Sequence, residues 1–292
     1  MTNNILQDTD VTCDYLTETT TLFFRGRWVR LETVRIGQGD SLHPEIPHAQ
    51  IRDLDEDRIL CTCMHGFWLQ HAFVWKDWFY VFGTDYYGIW MIKSFDLHEW
   101  SAPEKVFDSE KSDVIHYQNN AIVYNGSEFV MALDLLGGPY FFTICFASSR
   151  DLSEWHYIPG AMYKPHFYTS CPHLVWCDGW YHLFHVRNHE NGYHTFAARS
   201  RDLLVWEDSP HNPLLSPAED ERIMRNRWSG DTDEYRAINR SDLNLFERDG
   251  VTYANFHVGD QRGYPPGKGP VVHIRQSYYP GPMKEFLEKL YS

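Results

Sequence analysis

The sequence predicts an all-β chain folded as a five-bladed β-propeller, with four-stranded antiparallel blades around a central channel. Three observations lead there. Thr169 to Trp206 reads as one antiparallel unit: a strand Pro172 to Trp176, the turn Cys177-Asp178-Gly179, a strand Trp180 to Val186, the turn Asn191-Gly192, and a strand Tyr193 to Ala198. That unit closes in Ser200-Arg201-Asp202-Leu203-Leu204-Val205-Trp206, and the same SxDLxxW closure stands at Ser94 to Trp100 and Ser149 to Trp155, at spacings of 55 and 51 residues. A weaker copy, Ile51-Arg52-Asp53-Leu54, lies another 43 residues upstream. A strand-rich repeat of this length cannot bury both faces alone, whereas stacked neighbours bury them for one another.

The closure itself is a folding device. Ser and Asp satisfy the turn backbone after the third strand, Leu fills the gap between blades, and Trp opens the outer strand. Asp53, Asp96, Asp151 and Asp202 therefore carry a structural reading.

In chain order, blade one runs from Glu18 through the Arg25-Gly26 turn to Val34, followed by a polar loop from Gly37 to Pro47. Blade two spans Leu69 to Trp100 and blade three Tyr117 to Trp155, with Asn125-Gly126 as its first turn. Blade four is the unit described above. The period then breaks over about 207–240, a stretch rich in Pro, Asp, Glu and Arg that reads as an insertion over one mouth. Blade five resumes at Ser241 with strands to Glu247, Val251 to Asp260 and Val271 to Arg275, and about 283–291 has an amphipathic helical pattern. The whole chain, 1–292, is expected to form a single domain.

Composition narrows the function. A net charge of −14 argues against nucleic acid and against an anionic membrane surface as partners. Six cysteines include no CxxC pair and no Cys/His cluster with zinc spacing. The start, MTNNILQDTDVTCDY, lacks a charged-then-apolar leader pattern, and no apolar run is long enough to cross a membrane, so a cytoplasmic protein with free thiols is expected. The oligomeric state is not legible.

Aligning the hairpin turns locates a site. In a propeller the innermost strand starts at the channel mouth and the second strand ends there. The first ring is then Glu18, Gln70 or His71, Asn119 or Asn120, Cys171 and Asp242. The second is Glu32, Asp85, Asp134, His185 and His257, with Arg35, Arg187, Asp260 and Gln261 just beyond. Any single polar residue at a strand end is more often a turn residue than a catalyst, but clustered carboxylates, histidines and amides on one channel point to chemistry.

The SxDLxxW closures, the hairpin CDGWYHLFH and the segment NRSDLNLFERDGVTYANFHVGDQRG resemble the five-bladed propeller glycoside hydrolases, the set with arabinanases, xylosidases, fructosidases and neoagarooligosaccharide hydrolases. The resemblance runs from about Thr17 to the end. It implies three carboxylates at channel ends of different blades: a base or nucleophile, a proton donor, and a third that orients and tunes. It also allows a Ca²⁺ ion on the channel axis, although the chemistry asks for no cofactor. The chain departs from the arabinanase pattern at the donor, where Cys171 precedes Pro172, and in blade three, where Asn119 or Asn120 stands for Asp. Either the carboxylates have moved around the ring, or the protein binds sugar without cutting it.

Glycoside cleavage needs one ionised carboxylate and one protonated group near neutral pH. The expected assignment is Asp242 as base or nucleophile, Glu32 as proton donor, Asp134 as orienter and Glu18 in reserve. His71, Asn119, Asn120, Asp85, His185, Arg187, His257, Gln261 and Trp228 are expected to hold the sugar, an oligosaccharide or glycoside whose terminal unit is a sugar such as a furanoside. Trp28, Trp68, Tyr86, Tyr87 and Trp90 are further stacking candidates. The competing classes are a non-catalytic carbohydrate-binding propeller and a protein-interaction scaffold.

Overall fold

The computed structural model describes residues 5–14, 16–35, 46–111, 114–137, 140–189, 192–217, 222–223, 235–236, 239–260 and 271–292. The chain opens with β1 (Gln7–Asp14). The first sheet is β2 (Thr19–Phe24), β3 (Arg27–Val34), β4 (His48–Asp53) and β5 (Arg58–Cys63). The second is β6 (Trp68–Trp75), β7 (Trp78–Thr84), β8 (Gly88–Ser94) and β9 (Glu104–Asp108). The third is β10 (His116–Tyr124), β11 (Phe129–Gly137), β12 (Tyr140–Ser149) and β13 (His156–Tyr163). Next come β14 (Ser170–Cys177), β15 (Trp180–His189), β16 (Gly192–Ser200) and the two-residue β17 (Glu207–Asp208). A small ribbon, β18 (Arg222–Ile223) with β19 (Tyr235–Arg236), precedes β20 (Asn239–Arg248), β21 (Val251–Asp260) and β22 (Val271–Tyr279). The helix α1 (Met283–Lys289) follows.

The outer strand beside β22 is β1, from the other end of the chain. Asp8 of β1 accepts from Arg240 at 3.0 Å and from Ser277 at 2.6 Å, which clamps the two ends into one sheet. The sequence reading gave residues 7–14 no strand, because their partner lies more than 250 residues away. A single parallel bridge, Tyr193 with Asn239, links that sheet to β16.

Local chemistry explains the hairpins. Arg25-Gly26, Asp178-Gly179 and Asp249-Gly250 take φ of 48° and 83°, 48° and 78°, and 54° and 73°. Two consecutive positive φ values match the twist of the flanking strands, and the glycine makes the second one cheap. The SxDL closures also form as read. In Ser149 to Trp155, the Leu152 amide donates to Ser149 Oγ at 2.9 Å, and the Ser153 and Glu154 amides donate to Asp151 Oδ1 at 2.9 Å each. Ser94/Asp96 and Ser200/Asp202 repeat this pattern.

The core lies between the sheets. Phe82 and Met91 pack on Met131, Leu133 and Trp155; Ile144 and Phe146 pack on Leu183 and Ala198; Leu31 and Ile51 pack on Val81 and Ile92. Burying each aromatic contributes roughly 1.5–3 kcal/mol. α1 inserts Phe286 and Leu287 against Phe184 and Phe256.

Innermost strands of adjacent sheets do not ladder, so their edge N–H groups need other acceptors. A belt of side chains supplies them. Thr20 Oγ1 accepts from the Ala72 amide at 3.4 Å, His71 Nε2 from Ile122 at 3.3 Å, His173 Nε2 from Leu245 at 3.2 Å, and Asn244 Oδ1 from Thr21 at 2.9 Å. The innermost strands are neighbours in the cyclic order β2, β6, β10, β14, β20 and back to β2. Sheet geometry and cyclic order are those of a propeller-type all-β fold.

Candidate active site at the channel mouth

Each of four innermost strands enters the structure through a bulge. The register slips between Trp68 and His71, Tyr117 and Asn120, Ser170 and His173, and Ser241 and Asn244. Leu69, Cys171 and Asp242 occupy equivalent places in three of these bulges, at φ of 52°, 52° and 53°. For non-glycine residues that conformation costs about 1–2 kcal/mol, and such strain collects where a side chain must be re-aimed.

The bulged ends surround a narrow shaft of about 40 Å³, lined by Glu18, Leu69, Gln70, Asn119, Asn120, Cys171 and Asp242 above the belt of Thr20, His71, His173 and Asn244. That volume holds about three waters. A six-membered ring does not fit inside it, so the shaft itself admits only small groups.

Three carboxylates share this region in different states. Glu18 accepts from the Thr17 hydroxyl and from Arg35 Nη2 at 2.5 Å. Burial works against the Arg35 charge, but Glu18 and then Asp242 outweigh it and hold the guanidinium protonated. Asp242 accepts from Ser241 Oγ at 2.5 Å and lies 3.5 Å from His257 Nδ1. Burial raises its pKa, yet the interactions with His257, Ser241 and Cys171 prevail and keep it below the ordinary carboxylate value. Asp134 behaves oppositely. Burial pushes it up to about 7 despite hydrogen bonds from Ser170 and the Cys171 amide, and the Asp242 charge adds to the rise. It stands one layer behind the shaft wall, with Oδ1 free of any partner.

The amides divide as well. Asn119 Nδ2 donates to Cys171 Sγ at 3.4 Å, whereas Asn120 is buried with both amide atoms unpartnered. His257 is likewise buried, with Nδ1 3.1 Å from Ser241 Oγ and Nε2 free.

Other predicted residues lie elsewhere. Glu32 faces an ionic knot, not the shaft: it accepts from Arg30 at 2.6 Å, Gln50 at 2.5 Å and Arg52 at 3.0 Å, so its oxygens are engaged between two arginines and point away from the site. Asp85 accepts from the Tyr87 amide and from Trp90 Nε1 at 3.0 Å, which makes it a turn brace. His71 is a belt member, and burial lowers it to about 4, hence neutral. His185 lies off the shaft, 3.1 Å from Tyr163 Oη, and burial lowers it to about 3. Arg187 stacks over Phe196 at 4.9 Å and over Phe167. Gln261 and Trp228 fall outside the described residues. The second-strand alignment erred because Asp85 and His257 were matched by polarity; by register, Glu32, Asp134 and His185 are equivalent, and His257 is one residue further on.

Of the aromatics, Trp68 and Tyr86 pair at 6.2 Å, and the charges of Arg35 and Glu18 bear on the Tyr86 phenol, so this pair flanks the mouth. Tyr87, 60% exposed, and Tyr86 both contact His116. Trp28 sits at the far hairpin end against Phe23 and Phe246. Sequence reasoning missed Ser170 and Ser241, whose only signal was their place directly before Cys171 and Asp242. Among the described residues no group of three or more His, Cys, Asp or Glu is disposed to hold a metal ion.

No family model matches the chain, and no curated protein matches it in sequence. Solved structures do. The chain is similar to the GH43 protein BlXynB from Bacillus licheniformis, with a TM-score of 0.60 and 14% identity, covering 92% of this chain and 54% of that one. It spans about half the length of that enzyme. The α-L-arabinofuranosidase from Podospora anserina, solved with cellotriose, matches at a TM-score of 0.64 and 8% identity over 96% of both chains. An N-acetylgalactosamine deacetylase from F. plautii, solved with blood group B trisaccharide, matches at 0.66 and 11% over 98% of both. The fold is thus that of propeller glycoside hydrolases and their structural kin. At such identities the likeness speaks for the fold alone.

Proposed function

We propose that the chain is one five-bladed propeller domain acting as a glycoside hydrolase on a terminal sugar, with its site at the mouth described above. The observation that carries this reading is the split protonation of two mutually interacting carboxylates: at neutral pH Asp242 is ionised, while Asp134 retains a large share of its proton. Asp242 serves as base or nucleophile. Asp134 is the proton store behind the shaft wall: the Ser170 hydroxyl, which donates to it in this structure, turns to accept the Asp134 proton and gives its own to the leaving oxygen, in place of the acid expected at Glu32. Glu18, fixed by Arg35, and the free Asn120 amide orient sugar hydroxyls, and Trp68 with Tyr86 offers a stacking wall. The whole-protein substrate and any exo preference are part of this proposal.

A second reading, sugar binding without cleavage, is favoured by one observation: Asp134, the carboxyl whose pKa burial raises, stands behind the shaft wall and not among the residues that line it. A broad glycan and aryl-glycoside panel, read for reducing ends and for released acetate, tests both. Turnover lost in Asp242→Asn supports the first; saturable sugar binding with neither product supports the second.

A further inference from the structure

The candidate site occupies one face of the molecule. The hairpin turns and SxDL closures lie on the other, roughly 20 Å away along a six-residue strand. There, between the first and second sheets, a groove of about 470 Å³ is lined by Arg25, Arg27 and Arg58 over a floor of Phe24, Leu60 and Leu97. Three guanidiniums around one groove are unexpected in a chain of net charge −14.

Two of the three arginines have a carboxylate partner, and each spends a single nitrogen on it. Arg27 gives one contact to Asp53 at 3.2 Å, and Arg58 pairs with Glu56 where both side chains are 57% exposed, a pair that solvent weakens. Arg25 pairs with no carboxylate among the described residues; its guanidinium lies flat on Phe95, 3.4 Å from the ring centroid. A stacked guanidinium keeps its edge N–H groups for a planar or tetrahedral oxyanion. Asp96 also lines the groove, but its Oδ1 accepts the His98 and Glu99 amides and the Ser94 hydroxyl. The related groove between the third and fourth sheets is an internal contrast: it sets Glu128 and Asp202 beside Arg201 and holds no such excess of positive charge.

We infer that this groove is a second ligand site, taking a small phosphate monoester with an apolar or aromatic body. The oxyanion meets Arg25, Arg27 and Arg58, and the body lies on Phe24, Leu60 and Leu97. A polyanion such as nucleic acid is disfavoured by the chain's net charge of −14. The inference is independent of the hydrolase reading, since it uses none of the shaft residues.

Calorimetric titration of the whole protein with phenyl phosphate, against inorganic phosphate as control, tests it. Phenyl phosphate should saturate at least about tenfold more tightly than phosphate, and Arg25→Asn and Arg58→Gln should each weaken it roughly fivefold or more with an unchanged melting temperature. Asn is chosen at 25 because it tolerates the positive φ there. Absence of saturation, equal affinity for phosphate, or wild-type affinity in both variants overturns the inference.

Discussion

The two faces of the molecule obey opposite rules. At the far face, three SxDL turns repeat one hydrogen-bond pattern in which Ser Oγ and Asp Oδ1 accept backbone amides. At the mouth, equivalent bulges carry Leu69, Cys171 and Asp242, and Asn120, Asp134 and His257 keep buried atoms without partners. Repetition with satisfied groups is what folding requires. Positive φ is common to both faces, since Leu97, Leu152 and Leu203 of the closures also adopt it; what sets the mouth apart is departure from the repeat with unpaired polar atoms, which costs stability and points to a bound molecule.

The largest effect that sharpens this contrast is expected at Asp242. Asp242→Asn should lower kcat on a responsive glycoside by roughly 10²-fold or more while the melting curve stays in place. Glu32→Gln should do the reverse: it breaks a buried knot with Arg30 and Arg52, so denaturant titration should record a loss of about 3–5 kcal/mol. A Glu32→Gln protein of normal stability and no activity would restore Glu32 as the acid. At the far face, Asp151→Ala removes the acceptor of two amides and should cost about 1–2 kcal/mol without changing turnover.

The belt predicts a pH effect. His71 and His173 are lowered to about 4 and 3 by burial, so the folded state refuses protons that the unfolded chain binds below 6.5. Their stabilisation is present above that value and lost as pH falls toward 4. Asp134 works the other way, since its raised pKa gives stability below 3.8 that is lost as pH rises through about 7. With His182 and His185 also lowered, the histidines outnumber it, and the denaturation midpoint should drop on acidification from 6.5 to 4. A flat or rising midpoint would mean that the belt histidines are already solvated.

Much of the fold was legible because its signals are local. Turn dipeptides, SxDLxxW and strand alternation set the hairpins within a few residues, and the mouth members Glu18, Asn119, Cys171 and Asp242 came from counting back from the turns. Two things were not. Pairing of β1 with β22 joins opposite ends of the chain, and no local pattern encodes it. The direction of a polar side chain at a strand end depends on bulges, and one residue of slip moves it to the other face. His71 therefore looked like a sugar ligand and Glu32 like an acid, although one braces a neighbouring strand and the other is held by arginines.

The most direct test follows the carboxyl carbons of Asp134 and Asp242 by ¹³C NMR across pH, assigned through Asp134→Asn and Asp242→Asn. The account predicts a midpoint near 7 for Asp134 and one below 3.8 for Asp242. Titration of both carboxyls together below about 4 would contradict it.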